Sequence, residues 1–273
     1  ADGFHNLWSL MQTVGLEDAV TIRRASGHSE IQLQCDSTTL SVDQTNLVYR
    51  AAAAVLAQSQ QKIGLDIQLA KRIPMGAGLG GGSSDAAATI LGVNHLLGLG
   101  WSTVRMAEVG QALGSDVPFF FHAPTAVVAG RGEQVGTIQV AGSRWVVLVN
   151  PGFPVETKWA YQQLSATRQG VLPLSERCNR LNSQGRISWD DVTVLASNDF
   201  EGPVFETHPV LRQIKTDLLD CGAQLALLSG SGATVFGIFQ DEAGARQAAV
   251  VFQGRSEFHV FITQTSLEPL RVE

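Results

Sequence analysis

The first half of the chain contains short stretches in which apolar and polar residues alternate. The alternation is most regular over residues 63–69, which predicts a strand with one buried face. Residues 19–23 and 30–34 predict two further strands, joined by a polar turn at residues 26–28. Residues 4–14 alternate only loosely, so we expect an extended or mixed segment there.

Two helical patterns stand out between these strands. Residues 46–60 form an alanine-rich apolar run that opens on Asn46, a residue type that caps helix N-termini. Residues 102–113 predict another helix, with Ser102 as its cap. Together with the strands, these helices indicate a mixed α and β region.

The second half of the chain also predicts strands and helices in alternation. Asn150-Pro151-Gly152 combines turn residues with a change of pattern, so we divide the chain into domains over 1–150 and 151–273. Residues 165–190 are polar and lack periodicity, which predicts loops and short helices. The other predicted elements are strands at 126–129, 145–149, 224–228, 234–239 and 258–263, a glycine turn at 229–232, and helices at 209–219 and 242–252. Strands joined through a crossover helix favour an α+β layer of the split β-α-β kind.

Composition narrows the class of protein only in broad terms. The 273 residues are 44% apolar and 16% charged, which is typical of a globular chain, and the net charge of −6 argues against nucleic acid as a partner. No apolar run approaches the roughly 20 residues that span a bilayer. Three scattered cysteines and the absence of metal-ligand spacing among six histidines favour reduced thiols, no protein-bound structural metal and a cytoplasmic location.

Residues 74–85 are the most informative stretch, and they read Pro-Met-Gly-Ala-Gly-Leu-Gly-Gly-Gly-Ser-Ser-Asp. Glycine permits positive φ and close backbone approach, so successive N–H groups can converge on an anion. A helix follows, to about Leu97, with Ser83 or Ser84 as its predicted cap and Asp85 in its first turn. Its positive end favours phosphate, and the serine hydroxyls can reach a magnesium ion. This stretch therefore predicts a phosphate-binding loop.

Three other interpretations of the loop fit less well. A Walker-type loop requires Gly-Lys-Ser/Thr after the glycines, and that sequence is absent. Gly76, Gly78 and Gly81 match the spacing of a dinucleotide fold, but residues 93–106 lack the acidic residue that such a fold places about 20 positions on. A glycine-rich turn without a ligand is disfavoured because so many glycines cost conformational entropy.

The motif over residues 74–87 resembles the central motif of the GHMP kinases, which act on galactose, homoserine, mevalonate and phosphomevalonate. Residues 230–237 are similar to the family's C-terminal glycine motif, which lies against the phosphate loop. One branch of the family phosphorylates a methylerythritol linked to cytidine diphosphate. The stretches that resemble this branch are 2–5, 46–52, 114–120 and 197–201.

The resemblance implies an α+β fold of two domains. The N-terminal domain is expected to resemble ribosomal S5 domain 2 and to bind ATP, and the C-terminal domain to be ferredoxin-like, with the acceptor in the cleft between them. The resemblance is also compatible with a last strand that returns to the first domain. The implied reaction is transfer of the ATP γ-phosphoryl group to a hydroxyl of the cytidine-diphosphate-linked methylerythritol, with ATP and Mg²⁺ as cofactors and a monomer or weak homodimer as the assembly.

The resemblance also assigns site residues. Asp116 is the expected catalytic base, since a carboxylate near the attacking hydroxyl can accept its proton, and it also belongs to the acceptor site. Phe4 and His5 are expected to stack on and read the cytosine, and Gly230 and Ser231 to contact the acceptor. The residues expected at ATP are Asn46, Lys71, Pro74, Gly76, Gly78, Leu79, Gly80, Gly81, Gly82, Ser83 and Ser84.

Three of these assignments carry alternatives. Asn46 can be a helix cap as well as a ligand of the adenine or its ribose, and Lys71 can be a solvated charge at a strand end. Asp116 can simply cap a turn. The family often places a second stacking aromatic just before Ser197, where this chain has Ala196, so we expect the other face of the cytosine to be covered differently.

The beginning of the chain departs from the family pattern. Family members open with a strand carrying Pro-Ala-Lys-x-Asn, whose lysine lies beside the catalytic aspartate, and this sequence starts at Ala1 after that strand. We favour an incomplete sequence, because loss of the strand would expose the edges of its neighbours. A true absence predicts weak or no kinase activity. The rivals are therefore another GHMP kinase of the mevalonate or homoserine type, and a catalytically silent nucleotide-binding homologue.

Overall fold

The computed structural model describes residues 7–130, 132–167 and 185–273. The strands are β1 Leu7–Gln12, β2 Ala19–Arg24, β3 Ile31–Cys35, β4 Leu65–Ala70, β5 Thr125–Gly130, β6 Gln134–Thr137, β7 Gln139–Val140, β8 Trp145–Asn150, β9 Arg186–Ile187, β10 Leu225–Leu228, β11 Val235–Phe239 and β12 His259–Gln264. The helices are α1 Leu47–Gln58, α2 Gly81–Leu97, α3 Thr103–Gln111, α4 Thr157–Thr167, α5 Trp189–Leu195, α6 Glu201–Thr207, α7 Pro209–Asp220 and α8 Glu242–Phe252, with a 3₁₀ turn at Pro118–Phe121.

One sheet of the first half has the strand order β2-β4-β3. The regular alternation predicted for β4 is observed: Leu65, Ile67 and Leu69 are buried and the residues between them are exposed. Strand β4 lies between β2 and β3, antiparallel to the first and parallel to the second. The two strands predicted on either side of the polar turn therefore form, but they do not pair with each other. Helices α1 and α2 cover this sheet, and their alanines pack into its core.

A second sheet of the first half joins β1, β5 and β6 in the order β1-β5-β6. All of its pairings are antiparallel. The expected extended segment over residues 4–14 is confirmed for the part that the structure describes, because β1 occupies Leu7–Gln12. Strand β6 has no counterpart among the elements predicted from the sequence.

The second half folds around a sheet of order β10-β11-β8-β12. Strands β11 and β12 are each antiparallel to β8 and lie on either side of it, and α8 connects them. This is the split β-α-β arrangement that the pattern favoured. A separate apolar core includes residues from this sheet, from α7 and from α8.

The strand pairing of β8 is relevant to the predicted domain boundary at residue 150. Strand β8 ends at Asn150, the predicted boundary, but both of its partner strands lie beyond it. Strand β12 stays in the second sheet, whereas the residues after it approach the first half through a bridge of Thr265 to Val14 and the packing of Leu270. The division at residue 150 stays a prediction. Within the described residues, none of the helices has both the length and the apolar character needed to cross a membrane.

The segment over residues 165–190 lies mostly outside the described residues. Its described ends belong to α4, β9 and the start of α5. Helix α4 was not predicted from the sequence.

Candidate active site

The glycine-rich loop after β4 has the backbone geometry of an anion-binding nest. Gly76, Gly78 and Gly80 adopt positive φ values of 62°, 75° and 67°, and they alternate with Ala77 and Leu79. Such an alternation turns successive N–H groups toward one point. Within the described part of the chain, no acceptor receives a hydrogen bond from the backbone N–H of any residue from Gly78 to Ser83.

Helix α2 begins directly from this loop with an open N-terminus. Its N-cap is Gly80, in the left-handed region, and no side chain of the described residues caps it. The expectation that Ser83 or Ser84 would cap the helix is wrong, because the helix starts before them and the Ser84 hydroxyl instead donates to the carbonyl of Gly81 at 2.7 Å. The first N–H groups of α2 therefore keep both their donor capacity and the positive end of the helix dipole for a ligand.

A buried ion triad lies behind the loop. The Lys71 ammonium pairs with Asp18 and, at 2.8 Å, with Asp85, and the three side chains are 8%, 2% and 5% exposed. Asp18 also accepts hydrogen bonds from the backbone N–H groups of Arg72 at 2.6 Å and Ile73 at 2.9 Å. These contacts fix the chain where it leaves β4 and enters the loop.

The triad excludes one alternative for Lys71 and corrects the expected position of Asp85. Lys71 is not a solvated charge at a strand end, and Asp85 is not in the first turn of α2 but one turn further on, where it is buried. Burial lowers the pKa of Lys71, but the hydrogen bonds and charges of Asp18 and Asp85 outweigh burial and raise the pKa overall. Burial raises the pKa of Asp85 to about 6, against the opposing effect of Lys71. A direct contact of Lys71 with ATP stays a prediction.

Asp116 lies where the sequence analysis expected it, at the rim of an apolar wall. It precedes the 3₁₀ turn at Pro118–Phe121, and Val117, Phe119 and Phe120 beside it are buried. Its own side chain opens into the cleft, yet protein atoms surround it on most sides, and this burial raises the pKa of its carboxyl. In residues 7–130, 132–167 and 185–273 no hydrogen bond or ion pair holds the carboxylate, so it is available to a ligand.

Asn46 caps α1 as predicted. Its Oδ1 accepts from the backbone N–H of Val48 at 2.8 Å, and its Nδ2 donates to the carbonyl of Ser41 at 2.6 Å. Asn46, Ser41 and Leu47 line the same cleft as the glycine loop. The cap is thus observed, while a contact of Asn46 with the nucleotide stays a prediction.

Tyr161 is an aromatic residue at the site that the sequence analysis missed. It lies on α4, lines the cleft, and packs edge-on against Phe200 with ring centroids 4.9 Å apart. Burial, and after it the negative charge of Asp116, raises the pKa of the Tyr161 hydroxyl, and both residues line the cleft. Ala196 also lines the cleft but offers no ring. Phe4 and His5 lie outside the described residues.

Gly230 and Ser231, expected at the acceptor, form a turn that touches the glycine loop. A Cβ at Gly78 would overlap the Ser229 carbonyl oxygen and lie 2.8 Å from that of Gly232. Ser231 is buried, and its hydroxyl is 3.1 Å from that of Thr157. The two glycine motifs, about 150 residues apart in sequence, are therefore in contact.

All of these groups border one large cleft of about 2830 Å³. Pro74, Leu79, Asp116 and the 229–232 turn contribute to its walls together with the open end of α2. Among the described residues, no cluster of three or more histidine, cysteine or acidic side chains could hold a metal ion. The cleft can thus accommodate an anionic ligand at the loop and a second ligand beside Asp116.

Comparison with known proteins agrees with this geometry. The family model described as GHMP kinases N terminal domain matches residues 46–123, and the one described as GHMP kinases C terminal matches residues 185–255. A protein of Syntrophotalea carbinolica named 4-diphosphocytidyl-2-C-methyl-D-erythritol kinase is 41% identical over 263 residues, covering 96% of this chain and 91% of the relative. A protein of Geobacter sp. with the same name is 43% identical over 248 residues, covering 91% of this chain and 86% of the relative.

Solved structures give the same result. A crystal structure of 4-(cytidine 5'-diphospho)-2C-methyl-D-erythritol kinase superposes with a TM-score of 0.76 at 30% identity, covering 97% of this chain and 92% of that one. The homoserine kinase from Cytophaga hutchinsonii superposes with a TM-score of 0.73 at 19% identity, covering 91% and 85%, which is a likeness of fold alone.

The chain belongs to the GHMP kinase family. The α+β GHMP fold expected from the glycine motifs is confirmed, and so is the class of enzyme, an ATP-dependent small-molecule kinase.

Proposed function

We propose that this kinase transfers the γ-phosphoryl group of ATP to a hydroxyl of 4-diphosphocytidyl-2-C-methyl-D-erythritol, a step in the methylerythritol phosphate route to isoprenoid precursors. The observation that carries the proposal is the row of N–H donors from Gly78 to Ser83, which have no partner among the described residues and share a cleft with the available carboxylate of Asp116. The names of relatives at 41–43% identity support this choice of acceptor.

The residues divide the work of phosphoryl transfer between binding and proton removal. The loop N–H groups and the positive end of α2 bind the ATP phosphates and offset the charge that spreads over the transferring group. The acceptor oxygen bonds to the γ-phosphorus as the bond from that phosphorus to the bridging oxygen of ADP breaks. Asp116 accepts the proton that the hydroxyl loses.

A magnesium ion fits the oxygen donors of this site. Mg²⁺ usually takes one or two protein oxygens together with substrate phosphates and water, rather than a full protein cage. The Ser83 hydroxyl, at the open end of α2, is an oxygen donor of the required hard type. When bound, the ion would neutralise charge on the β- and γ-phosphates.

The cytosine of the acceptor requires an aromatic surface. We assign Phe4 and His5 to it from the family resemblance, and we add Tyr161, whose ring lines the same cleft as Asp116. The ring packs edge-on against Phe200, which holds it in place for stacking with a planar base. Tyr161 rather than residue 196 would then cover the second face of the base.

The acceptor is tested by incubating the purified chain with ATP, Mg²⁺ and each of three alcohols, namely the cytidine-diphosphate-linked methylerythritol, mevalonate and homoserine. Product formation is followed by ³¹P NMR and mass spectrometry. We expect phosphorylation of the cytidylyl compound alone. Turnover of mevalonate or homoserine with an inert cytidylyl compound would overturn the proposed acceptor, and ATP binding without turnover of any alcohol would favour a silent homologue.

The role of Asp116 is tested with Asp116→Asn. We expect kcat to fall by about 10²- to 10⁴-fold, the usual contribution of a general base, while the dissociation constant of ATP stays nearly unchanged. Asp66→Asn, which neutralises an exposed carboxylate on β4, is the matched control and should leave kcat as it is. Near-normal turnover by Asp116→Asn would remove Asp116 as the base. The cytoplasmic location and the monomer or weak homodimer stay predictions.

A further inference from the structure

The side chain of Asn198 makes three hydrogen bonds in the second half of the molecule. Its Nδ2 donates to two backbone carbonyls, Leu228 at 2.8 Å and Gly230 at 2.7 Å. Its Oδ1 accepts from the backbone N–H of Phe200 at 2.9 Å. One amide group thus connects the start of α6 to the last residue of β10 and to a residue within the turn that follows, so it bridges the entry to that turn.

The turn at residues 229–232 and the start of the next strand form hydrogen bonds with the glycine-rich loop. The Ser229 hydroxyl donates to the carbonyl of Gly78 at 2.8 Å, and the Thr234 N–H donates to the carbonyl of Ala77 at 3.1 Å. A hydrogen bond from Gly232 N–H to the Ser229 carbonyl at 2.9 Å closes the turn itself. Two consecutive carbonyls of the phosphate loop are therefore held by the C-terminal half of the chain.

Holding those carbonyls also orients two N–H groups. In a planar trans peptide the C=O and the following N–H point in opposite directions. Because the carbonyls of Ala77 and Gly78 point at the turn, the N–H groups of Gly78 and Leu79 point away from it. Both are among the unpaired donors of the proposed phosphate site.

We propose that Asn198 is a positioning residue for the nucleotide site, acting through the turn and the Ser229 hydroxyl on the N–H donors of the phosphate loop. The inference rests on the proposed binding of ATP at that loop, but not on the identity of the acceptor. It predicts that a residue of the C-terminal half, distant in sequence from the loop, determines how tightly the N-terminal half binds ATP.

The test measures the dissociation constant of ATP by isothermal titration calorimetry without any acceptor. We expect Asn198→Ala to weaken ATP binding by about 10-fold, and Ser229→Ala, which deletes one hydroxyl, by about 3- to 10-fold. Ser229→Thr keeps the hydroxyl and should restore binding close to that of the parent. The double variant Asn198→Ala/Ser229→Ala should bind ATP about as weakly as Asn198→Ala alone, since both changes act through the same contact.

A matched control separates positioning from general loss of stability. The Ser59 hydroxyl donates to the carbonyl of Val55 at 2.7 Å at the far end of α1, so Ser59→Ala removes a similar hydrogen bond away from both glycine motifs. We expect it to lower the thermal midpoint as Ser229→Ala does, without changing ATP affinity. If Asn198→Ala is not recovered folded, Asn198→Asp gives the readout, because it keeps the acceptor for Phe200 N–H and loses the donor to the carbonyls of Leu228 and Gly230.

The outcomes that overturn the inference are distinct from those that overturn the proposed function. ATP affinity equal to that of the parent in Asn198→Ala and Ser229→Ala, or an effect confined to the KM of the acceptor, refutes the positioning role while the kinase proposal stands. If the losses of ATP affinity in the two single variants add in full in the double variant, Asn198 and Ser229 do not act through the same contact. A parent chain that binds no ATP refutes both the nucleotide site and the positioning role.

Discussion

The two glycine-rich segments of this protein resemble each other in composition and differ in what their backbone groups do. In the loop before α2, the glycines leave a row of N–H groups unpaired beside a helix N-terminus. In the turn after β10, Ser229 N–H donates to the carbonyl of Thr234 and Gly232 N–H to the carbonyl of Ser229. Asn198 donates to the carbonyl of Gly230 within the turn and to that of Leu228 just before it. The geometry of the first segment suits an anionic ligand, and the second segment is in contact with the first and supports it.

The glycines of the loop itself differ in whether packing requires them. Gly78 requires its hydrogen atom because the supporting turn is too close for a Cβ, whereas Gly82 has ordinary space around it and no positive φ. Glycine at such a position leaves room for the close approach of a ligand, which the proposed phosphate site predicts at Gly82. Substitutions in the two segments can therefore distinguish packing from binding.

The largest effect is expected at the contact between the segments, with Gly78→Ala. The added Cβ would overlap the Ser229 carbonyl, and the residue has a φ of 75°, so the loop and the turn must move apart. We expect ATP binding to weaken by more than about 100-fold, measured by calorimetry. Gly98→Ala, at φ 61° with open space around it, is the control and should cost only about 1 kcal/mol of stability without affecting ATP. Nearly normal ATP binding by Gly78→Ala would contradict the contact.

The next effect is a loss of folding stability, which we expect for Asp18→Asn in the ion triad of Lys71, Asp18 and Asp85. The substitution removes a buried partner of Lys71 and disturbs the acceptor of two loop N–H groups, so we expect a loss of about 3 kcal/mol in the free energy of unfolding by urea. The same change at Asp66, an exposed partner of His28, should cost less than about 1 kcal/mol. Equal losses at the two positions would show that the triad does not stabilise the loop.

A smaller effect is expected on how the free energy of unfolding depends on pH, and it arises from Asp85. Its folded-state pKa of about 6 lies above the ordinary value of 3.8, so the folded chain holds this proton more tightly than the unfolded chain does. The resulting stabilisation is complete below about pH 4 and is lost as the pH rises through 6. The stability of Asp85→Asn relative to the parent should therefore rise between pH 4 and 7, as measured by urea unfolding at each pH. A relative stability that falls over this range would reverse the direction that we assign to the pKa.

The smallest effect is expected from Gly82→Ala. The first turn of α2 accepts alanine, and replacing glycine in a helix stabilises it by up to about 1 kcal/mol. If the backbone at residue 82 approaches the phosphates, the same variant should bind ATP several-fold more weakly while melting at a higher temperature. Unchanged ATP affinity would place the phosphates elsewhere along the loop.

Several features of the fold and site could be predicted from local sequence because local forces produce them. Asn46 and Ser102 cap α1 and α3 as predicted, and the alternation over residues 63–69 corresponds to β4. The glycine loop indicated a phosphate site through its composition alone, and its detailed match to a family motif led to the kinase class that the relatives confirm. Asp116 was assigned by the same resemblance, and its available carboxylate in the cleft is consistent with that role.

Other features depended on contacts between residues far apart in the chain, which no local pattern encodes. Nothing around Lys71 indicates that Asp18 and Asp85 would enclose it, and the turn at residues 26–28 does not reveal that β4 would separate its two strands. Tyr161 reached the site only because α4 packs beside the cleft, and Asn198 became a support only because β10 and its turn lie next to α6. The sequence alone determined which segment could bind phosphate, because backbone freedom and helix polarity are local properties. The tertiary structure decided what holds that segment in place, because burial and hydrogen-bond partners arise only when distant parts of the chain meet.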